Sequence, residues 1–191
     1  MTDSSFEQRA RRIQWLFLDV DGVLTDGRLY FSENGDELKT FSTLDGLGIK
    51  LLRRSGVKVG ILSGRKTRLV ARRAKSLGLD LVIQGREDKW EALSEWRRQS
   101  PVPLEAIAFM GDDWPDLTIM TRVGLSLTVA NAHPAVVERS HWQSTLGGGN
   151  GAVREACDQL LRARGDYERL LSDYIAPPGQ DTVGESEPKE T

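Results

Sequence analysis

Short apolar runs and amphipathic stretches alternate along the chain. The apolar runs are bounded by turn residues, as expected for strands that are buried on both faces. The stretches between them carry apolar residues three or four positions apart, which predicts helices. Strands alternating with helices predict an α/β fold, in which helices cover both faces of a central parallel sheet. The predicted strands are residues 15–20, 57–63, 80–85, 106–113, 124–130 and 141–146, and the predicted helices are residues 44–56, 66–79, 87–100, 135–140 and 152–165, with a short helix after Pro115.

One predicted element breaks this alternation. Residues 28–42 place Asn34-Gly35 between two arms of strand-forming residues, which predicts a β-hairpin. Between the first two long strands there is room only for this hairpin and one helix. We expect one domain at residues 15–174, preceded by an N-terminal extension at residues 1–14. Residues 175–191 are rich in proline and acidic residues and lack an apolar pattern, which predicts a disordered acidic tail.

Composition narrows the class of protein. With 191 residues, of which 39% are hydrophobic, the chain is long enough for one well-buried domain. A formal net charge of -2 gives no basic surface for nucleic acid, and the single Cys157 excludes an internal disulfide framework. No apolar run approaches the roughly 20 residues of a membrane span, and the first residues lack the apolar segment of a signal peptide. We therefore expect a cytoplasmic protein that binds neither nucleic acid nor a membrane.

Polar residues stand where the predicted strands end. Asp19 and Asp21 end the first strand, and because side chains alternate along a strand, both are expected to point the same way. In parallel sheets, ligands bind at the carboxyl ends of the strands, so residues at several strand ends should share one crevice. The other residues expected in this crevice are Ser63, Gly64, Arg65, Lys89, Asp112, Asp113 and Asp116.

This set of residues indicates phosphoryl chemistry. Carboxylates that are packed together repel one another, and Mg²⁺, which prefers hard oxygen ligands, relieves that repulsion. A lysine and a hydroxyl among the acids suit the oxygens of a phosphoryl group. Asp19 is the candidate nucleophile, which would form an aspartyl-phosphate, and Asp21 is the candidate general acid and base. Asp19 and Asp112 are the candidate metal ligands, and Asp113 and Asp116 would bind the metal or support its ligands. Ser63, Gly64 and Lys89 would bind the phosphoryl oxygens.

Four ordered segments resemble the haloacid dehalogenase superfamily. They are DVDGVLTDG at residues 19–27, ILSGR at 61–65, EDKW at 87–90 and GDDWPD at 111–116. The resemblance implies the same roles for the residues named above, and adds the backbone carbonyl of Asp21 as a ligand of Mg²⁺. Dehalogenating members lack the second aspartate, so Asp21 favours phosphate chemistry.

Further segments, among them NGDELKTF, DGLGIKLL and GGGNGAVREACDQLL, resemble the small sugar-acid phosphatases of this superfamily over about residues 15–164. This implies a Rossmann-like three-layer fold with a hairpin flap and no cap domain, and a homotetramer in which a neighbouring subunit helps to close each site. The implied substrate is 3-deoxy-D-manno-octulosonate 8-phosphate, a precursor for lipopolysaccharide. A nine-carbon sugar-acid 9-phosphate or another phosphomonoester is the alternative, because Leu44 and Asn150 stand where many of these phosphatases carry basic residues.

Several residues and functions stay open at the level of sequence. Arg65, Asp45, Gly46 and Arg154 are candidate substrate contacts, but Asp45-Gly46 also suits a helix start, and either arginine suits the surface. The glycine-rich residues 147–151 do not match a dinucleotide-binding fingerprint and are interpreted as flexible backbone near the pocket mouth. A receiver-like regulatory domain and a non-catalytic interaction protein are the rival functions; a receiver would carry its acceptor aspartate at the third strand, where this chain reads QGRED.

Overall fold

A computed structural model of the protein describes residues 5–176. The tail predicted at residues 175–191 lies outside the described residues except for Ile175 and Ala176. Within the described range the chain forms eight α-helices and eight strands. In chain order these are α1 (Phe6–Ala10), β1 (Trp15–Leu18), β2 (Tyr30–Phe31), β3 (Glu37–Leu38), α2 (Thr43–Arg54), β4 (Lys58–Ser63), α3 (Arg68–Leu77), β5 (Leu81–Gln84), α4 (Lys89–Gln99), β6 (Ile107–Gly111), α5 (Trp114–Met120), β7 (Leu125–Thr128), α6 (Pro134–Val137), β8 (Trp142–Gln143), α7 (Ala152–Arg164) and α8 (Tyr167–Ile175).

The central sheet has six parallel strands in the order β5-β4-β1-β6-β7-β8. β1 lies in the middle, with Phe17 paired to Gly60 of β4 on one side and to Phe109 of β6 on the other. The chain fills the sheet outward from β1 in one direction and then, from β6 onward, in the other. The carboxyl end of β1 is therefore the switch point at which open α/β sheets bind their ligands. The predicted fold class is confirmed.

Two apolar layers cover the two faces of the sheet. Leu16 and Leu18 of β1 face one layer, and Trp15 and Phe17 face the other, as the alternation of side chains along a strand requires. In the second layer the ring of Trp96 lies 4.7 Å from that of Trp15 and 5.1 Å from that of Phe17, measured between centroids. Burial of such side chains contributes roughly 1.5–3 kcal/mol each, which holds β1 rigidly under the site.

Two helices were not predicted from the sequence. α1 lies in the expected N-terminal extension, yet Ala10 and the following Ile13 are buried in the first layer, and α1 packs against α7. α8 packs against α7 near the end of the described chain, where Leu170 is buried. Both helices are short, and each buries only one of its own residues, Ala10 in α1 and Leu170 in α8.

The hairpin forms a separate two-stranded sheet. β2 and β3 pair antiparallel, with Tyr30 opposite Leu38. Their connection is closed by the amide of Ser32, which donates to the carbonyl of Asp36 at 2.9 Å. The hairpin prediction is confirmed, although each strand has only two residues. In the described chain only a short turn at Val20–Leu24, this hairpin and α2 separate β1 from β4, so the absence of a cap domain is also confirmed. None of the helices between residues 5 and 176 is long and apolar enough to span a membrane.

Candidate active site

A tight turn at Val20–Leu24, here called the β1 turn, leads the chain out of the central strand. Thr25 closes it, because its amide donates to the carbonyl of Val20 at 3.0 Å and its hydroxyl donates to the same oxygen at 3.2 Å. β1 ends at Leu18, so the position of Asp21 is set by this turn and not by strand alternation.

Gly22 is required at the centre of the β1 turn. Its φ of 106° is unfavourable for a residue with a side chain. A Cβ atom added there would also lie 2.1 Å from Oδ2 of Asp112. The turn therefore brings its own backbone directly against a predicted metal ligand.

The glycine-rich residues 147–151 pack tightly against the β1 turn. The amide of Gly149 donates to the carbonyl of Val23 at 2.9 Å, and a Cβ atom on Gly148 would lie 1.8 Å from the carbonyl oxygen of Gly22. Oδ1 of Asn131 accepts a hydrogen bond from the amide of Gly148 at 3.0 Å. The prediction of a flexible loop at the pocket mouth was wrong: these glycines allow two backbone segments to approach closely.

Lys89 joins two of the predicted acidic residues. It is the first residue of α4, which begins there because Oδ1 of Asp88 accepts a hydrogen bond from the amide of Glu91 at 3.0 Å. Its Nζ lies 2.7 Å from Oδ1 of Asp19 and 2.5 Å from Oδ1 of Asp116. All three side chains are buried. Lys89 therefore compensates part of the negative charge at the end of β1.

Asp116 organises the loop after β6. Its Oδ2 accepts hydrogen bonds from the amides of Asp112 at 3.0 Å and Asp113 at 3.3 Å, while its Oδ1 faces Lys89. Asp113 is exposed, and its Oδ1 accepts a hydrogen bond from the amide of Trp114 at 2.8 Å at the start of α5. Both oxygens of Asp116 are thus engaged by protein groups, and Asp113 acts as a helix cap.

The electrostatics of the cluster favour a bound cation. Burial, together with the charge of Asp116, raises the pKa of Asp19 to about 6, although Lys89 opposes the change. Burial and the charges of Asp19 and Asp116 raise the pKa of Asp112 to about 8. Burial alone would lower the pKa of Lys89, but the two carboxylates that it contacts raise it above its usual value. The negative charge in the cluster exceeds what one lysine can compensate.

The same carboxylates fit a divalent metal. One oxygen each from Asp19, Asp112 and Asp116 lies within 4.8 Å of the others, an arrangement that could hold an ion. Hard carboxylate oxygens are the ligands that Mg²⁺ prefers. The donor set therefore fits the metal that was predicted from the sequence.

A cavity of about 330 Å³ opens beside this cluster at the carboxyl end of the sheet. Six residues predicted for the site from different segments of the chain line it together, as the strand-end rule requires. Ser63, at the end of β4, is among them and is almost fully buried. The lining residues are Asp19, Asp21, Ser63, Gly64, Arg65, Glu87, Lys89 and Pro115.

Three predicted substrate contacts lie elsewhere. Asp45 is buried where α2 meets α7, and its Oδ1 accepts a hydrogen bond from the amide of Arg154 at 2.8 Å. The Nε atom of Arg154 donates to Asp158 at 2.8 Å, one turn along α7. Gly46 is buried too, and a Cβ atom on it would lie 2.5 Å from the guanidinium of Arg73. None of the three lines the cavity described above.

Two residues of the hairpin were missed from the sequence. Nζ of Lys39 donates a hydrogen bond to Oδ1 of Asp21 and lies 3.5 Å from Oε1 of Glu37. The same Glu37 oxygen accepts a hydrogen bond from Arg65 at 3.1 Å. Nothing in the local pattern could have placed these residues, because the path of the hairpin across the site depends on tertiary contacts.

Comparisons with known proteins agree with this geometry. A family model described as haloacid dehalogenase-like hydrolase matches residues 82–152. The 3-deoxy-D-manno-octulosonate 8-phosphate phosphatase KdsC of Escherichia coli strain K12 is 44% identical over 167 residues, which cover 87% of this chain and 89% of that protein.

Solved structures show the same relationship. A probable YrbI family phosphatase from Pseudomonas syringae pv. phaseolica 1448a has 50% identity and a TM-score of 0.88, with 90% of this chain and 97% of that chain covered. The 3-deoxy-D-manno-octulosonate 8-phosphate phosphatase of Moraxella catarrhalis, in complex with magnesium, phosphate and KDO, has 37% identity and a TM-score of 0.86, with coverages of 88% and 97%. The chain therefore belongs to the haloacid dehalogenase-like hydrolases and, among them, to the family of the 3-deoxy-D-manno-octulosonate 8-phosphate phosphatases.

Proposed function

We propose that this protein is a Mg²⁺-dependent phosphatase that hydrolyses 3-deoxy-D-manno-octulosonate 8-phosphate to the free sugar acid and phosphate, in the cytoplasmic synthesis of a lipopolysaccharide precursor. The observation that carries the proposal is the buried cluster in which Lys89 contacts both Asp19 and Asp116 beside Asp112. The similarity to a relative solved with magnesium, phosphate and KDO supports the metal and the substrate.

In the first step an oxygen of Asp19 attacks the phosphorus atom. A bond forms between Asp19 and phosphorus, and the bond from phosphorus to the sugar oxygen breaks. Asp21, which lines the same cavity, donates a proton to the departing sugar oxygen. Lys89, Ser63 and the backbone of Gly64 bind the phosphoryl oxygens as their charge redistributes.

In the second step Asp21 accepts a proton from a water molecule. The water oxygen attacks phosphorus, and the bond to Asp19 breaks, so that inorganic phosphate leaves and Asp19 is restored as a carboxylate. Two displacements at phosphorus thus replace one difficult step, and no other co-reactant is needed.

The metal is assigned to Asp19, Asp112 and the backbone carbonyl of Asp21. When bound, Mg²⁺ supplies positive charge that neutralises the carboxylates and the phosphoryl oxygens. Asp116 supports these ligands, since its oxygens are already engaged by Lys89 and by backbone amides. Asp113 is also assigned a supporting role, because it caps α5 in the same loop.

Arg65 is the proposed contact for the sugar acid. It lines the cavity, and its guanidinium is partly exposed at the mouth, where it contacts Glu37. A planar guanidinium suits a carboxylate, the group that distinguishes a sugar acid from a neutral sugar. Asp45 and Arg154 have no role in this proposal, because they belong to the packing of α2 against α7. Gly46 has none either, because it packs against Arg73 of α3.

The direct test measures phosphate release from 3-deoxy-D-manno-octulosonate 8-phosphate with Mg²⁺ and, in parallel, with EDTA. We expect efficient turnover that EDTA abolishes. Turnover of a nine-carbon sugar-acid 9-phosphate in preference to the eight-carbon ester would reject the substrate but keep the mechanism. Turnover that survives EDTA would reject the metal assignment.

We also propose that the protein forms a homotetramer, because apolar side chains of the hairpin are exposed. Phe31 and Leu38 are 63% and 61% exposed, and Leu29 and Tyr30 beside them are also exposed. Exposed apolar clusters of this kind mark protein–protein contacts, and a second copy of the chain is the proposed partner. We expect specific activity to fall when dilution dissociates the oligomer. Constant specific activity across a dilution that produces monomers would contradict a role for neighbouring subunits in the site.

A further inference from the structure

The buried ammonium group of Lys39 lies on a hairpin that is otherwise largely exposed. Its side chain is only 1% exposed, whereas Leu38 before it is largely in solvent. A buried ammonium is costly unless it is paired, so the contacts of Lys39 determine where this end of the hairpin lies. These contacts are the carboxylates of Asp21 and Glu37.

The cation that holds Asp21 differs from the one that holds Asp19 and Asp116. Asp116 is held by Lys89 and by two backbone amides, and Asp19 is held by Lys89. In the portion of the chain that the structure describes, the hydrogen bond from Lys39 is the one that holds the carboxylate of Asp21.

We propose that Lys39 is a positioning residue for Asp21, an inference that rests on the proposed function. The ammonium group binds Oδ1 of Asp21, Oδ2 is not part of that hydrogen bond, and Asp21 lines the cavity. A general acid must lie within hydrogen-bond reach of the oxygen that it protonates, so a carboxylate with one oxygen fixed is ready for proton transfer with the other. The hairpin thereby contributes to catalysis within its own subunit.

The chemistry of the leaving group separates this role from a structural one. A sugar alkoxide leaves poorly unless it is protonated, whereas p-nitrophenolate leaves readily without a proton. The ratio kcat/KM reports events up to the first irreversible step, at which the leaving group departs. A variant with a misplaced Asp21 should therefore lose kcat/KM for the sugar phosphate far more than for p-nitrophenyl phosphate.

The experiment compares Lys39→Met with Lys75→Met, an exposed lysine on α3 outside the site, in the full-length protein with Mg²⁺. We expect Lys39→Met to lower kcat/KM about 10²-fold for 3-deoxy-D-manno-octulosonate 8-phosphate and less than about 5-fold for p-nitrophenyl phosphate. Lys39→Arg, which keeps the charge, should recover most of the loss. Lys75→Met should match the parent on both substrates.

A double-mutant cycle with Asp21→Asn completes the test. If Lys39 acts through Asp21, adding Lys39→Met to Asp21→Asn should lower kcat/KM for the sugar phosphate by less than about threefold. Equal losses on both substrates, or a full additional loss in the double variant, would show that Lys39 only holds the hairpin and would overturn the inference. A parent enzyme that hydrolyses neither phosphate would instead reject the proposed function, and the inference with it.

Discussion

Two aspartates of this protein are equally hidden from water but have opposite surroundings. Asp19 is 6% exposed and Asp45 is 1% exposed, and burial raises the pKa of both. Asp19 faces Lys89 and two further carboxylates, whereas Asp45 faces backbone N–H groups at the start of α7, including that of Arg154.

The partners, and not the burial, distinguish the two sites. Backbone amides at the start of α7 satisfy one oxygen of Asp45, as they do for a capping residue, while in the described structure its buried Oδ2 has no hydrogen-bond partner. Carboxylates around one lysine leave negative charge uncompensated, so their environment improves when a cation binds. The arrangement around Asp45 contributes to the stability of the fold. The arrangement around Asp19 lowers stability but supports catalysis.

The largest effect should come from Asp19→Asn. The amide cannot act as the nucleophile, so we expect a loss of at least about 10³-fold in kcat. Because the change also removes a repulsive charge, the thermal midpoint in EDTA should not fall. Steady-state phosphate release and thermal unfolding measure the two effects, with Asp45→Asn as the matched control. An Asp19→Asn enzyme that works at the parent rate would remove Asp19 as the nucleophile.

Replacement of Lys89 by methionine should have the second-largest effect on activity. The variant leaves Asp19 and Asp116 without their cation, and loss of one partner from a buried ionic group costs about 3–5 kcal/mol. We expect that destabilisation in EDTA, a partial recovery with Mg²⁺, and a fall in kcat of about 10²-fold or more. Chemical denaturation with and without the metal provides the measurement; a variant as stable as the parent in EDTA would argue against net negative charge in the cluster.

Metal removal should make stability depend on pH. The pKa values of Asp112 and Asp19, about 8 and about 6, lie above the ordinary aspartate value, so the folded protein binds more protons than the unfolded chain between pH 4 and pH 8. The free energy of unfolding in EDTA should therefore fall as pH rises through this window, by up to about 1.4 kcal/mol per group per pH unit. Mg²⁺ should reverse most of the loss at pH 8 and little of it at pH 5. A flat profile in EDTA would contradict the raised pKa values.

Asp45→Ala should give the smallest effect on activity. Loss of the carboxylate at the start of α7 should lower the free energy of unfolding by about 1–2 kcal/mol and change kcat/KM by less than about threefold. Urea denaturation and steady-state kinetics on the same preparation measure both. A large loss in kcat/KM with unchanged stability would show that Asp45 contacts the substrate, and the contrast with Asp19 would then be wrong.

The sequence was sufficient for the sheet and for the centre of the site. Apolar runs located all six strands, and the rule that ligands bind at strand ends brought Asp19, Ser63 and Lys89 to one cavity. Short-range patterns suffice there, because each functional residue lies at a boundary of a local element: Asp19 follows β1, Ser63 ends β4 and Lys89 begins α4.

Contacts between segments that are distant in the chain could not be predicted from local sequence patterns. The environment of Asp45 depends on α7, and the contact between Lys39 and Asp21 depends on how the hairpin folds back. The glycines at residues 147–151 indicated freedom of the backbone, whereas the structure uses them for close packing. Such pairings follow from the packing of whole elements, which no local pattern encodes.

The contact between Gly148 and the β1 turn also bears on the order in which the protein becomes active. During synthesis the segment with Asp19 leaves the ribosome early, but the glycines that pack on its turn follow only after all six strands of the sheet. Contacts between residues so far apart in the chain form late, since loop closure must precede them. A nascent chain therefore carries Asp19 before the β1 turn is fully packed. The protein should become catalytically active only when the whole domain has folded.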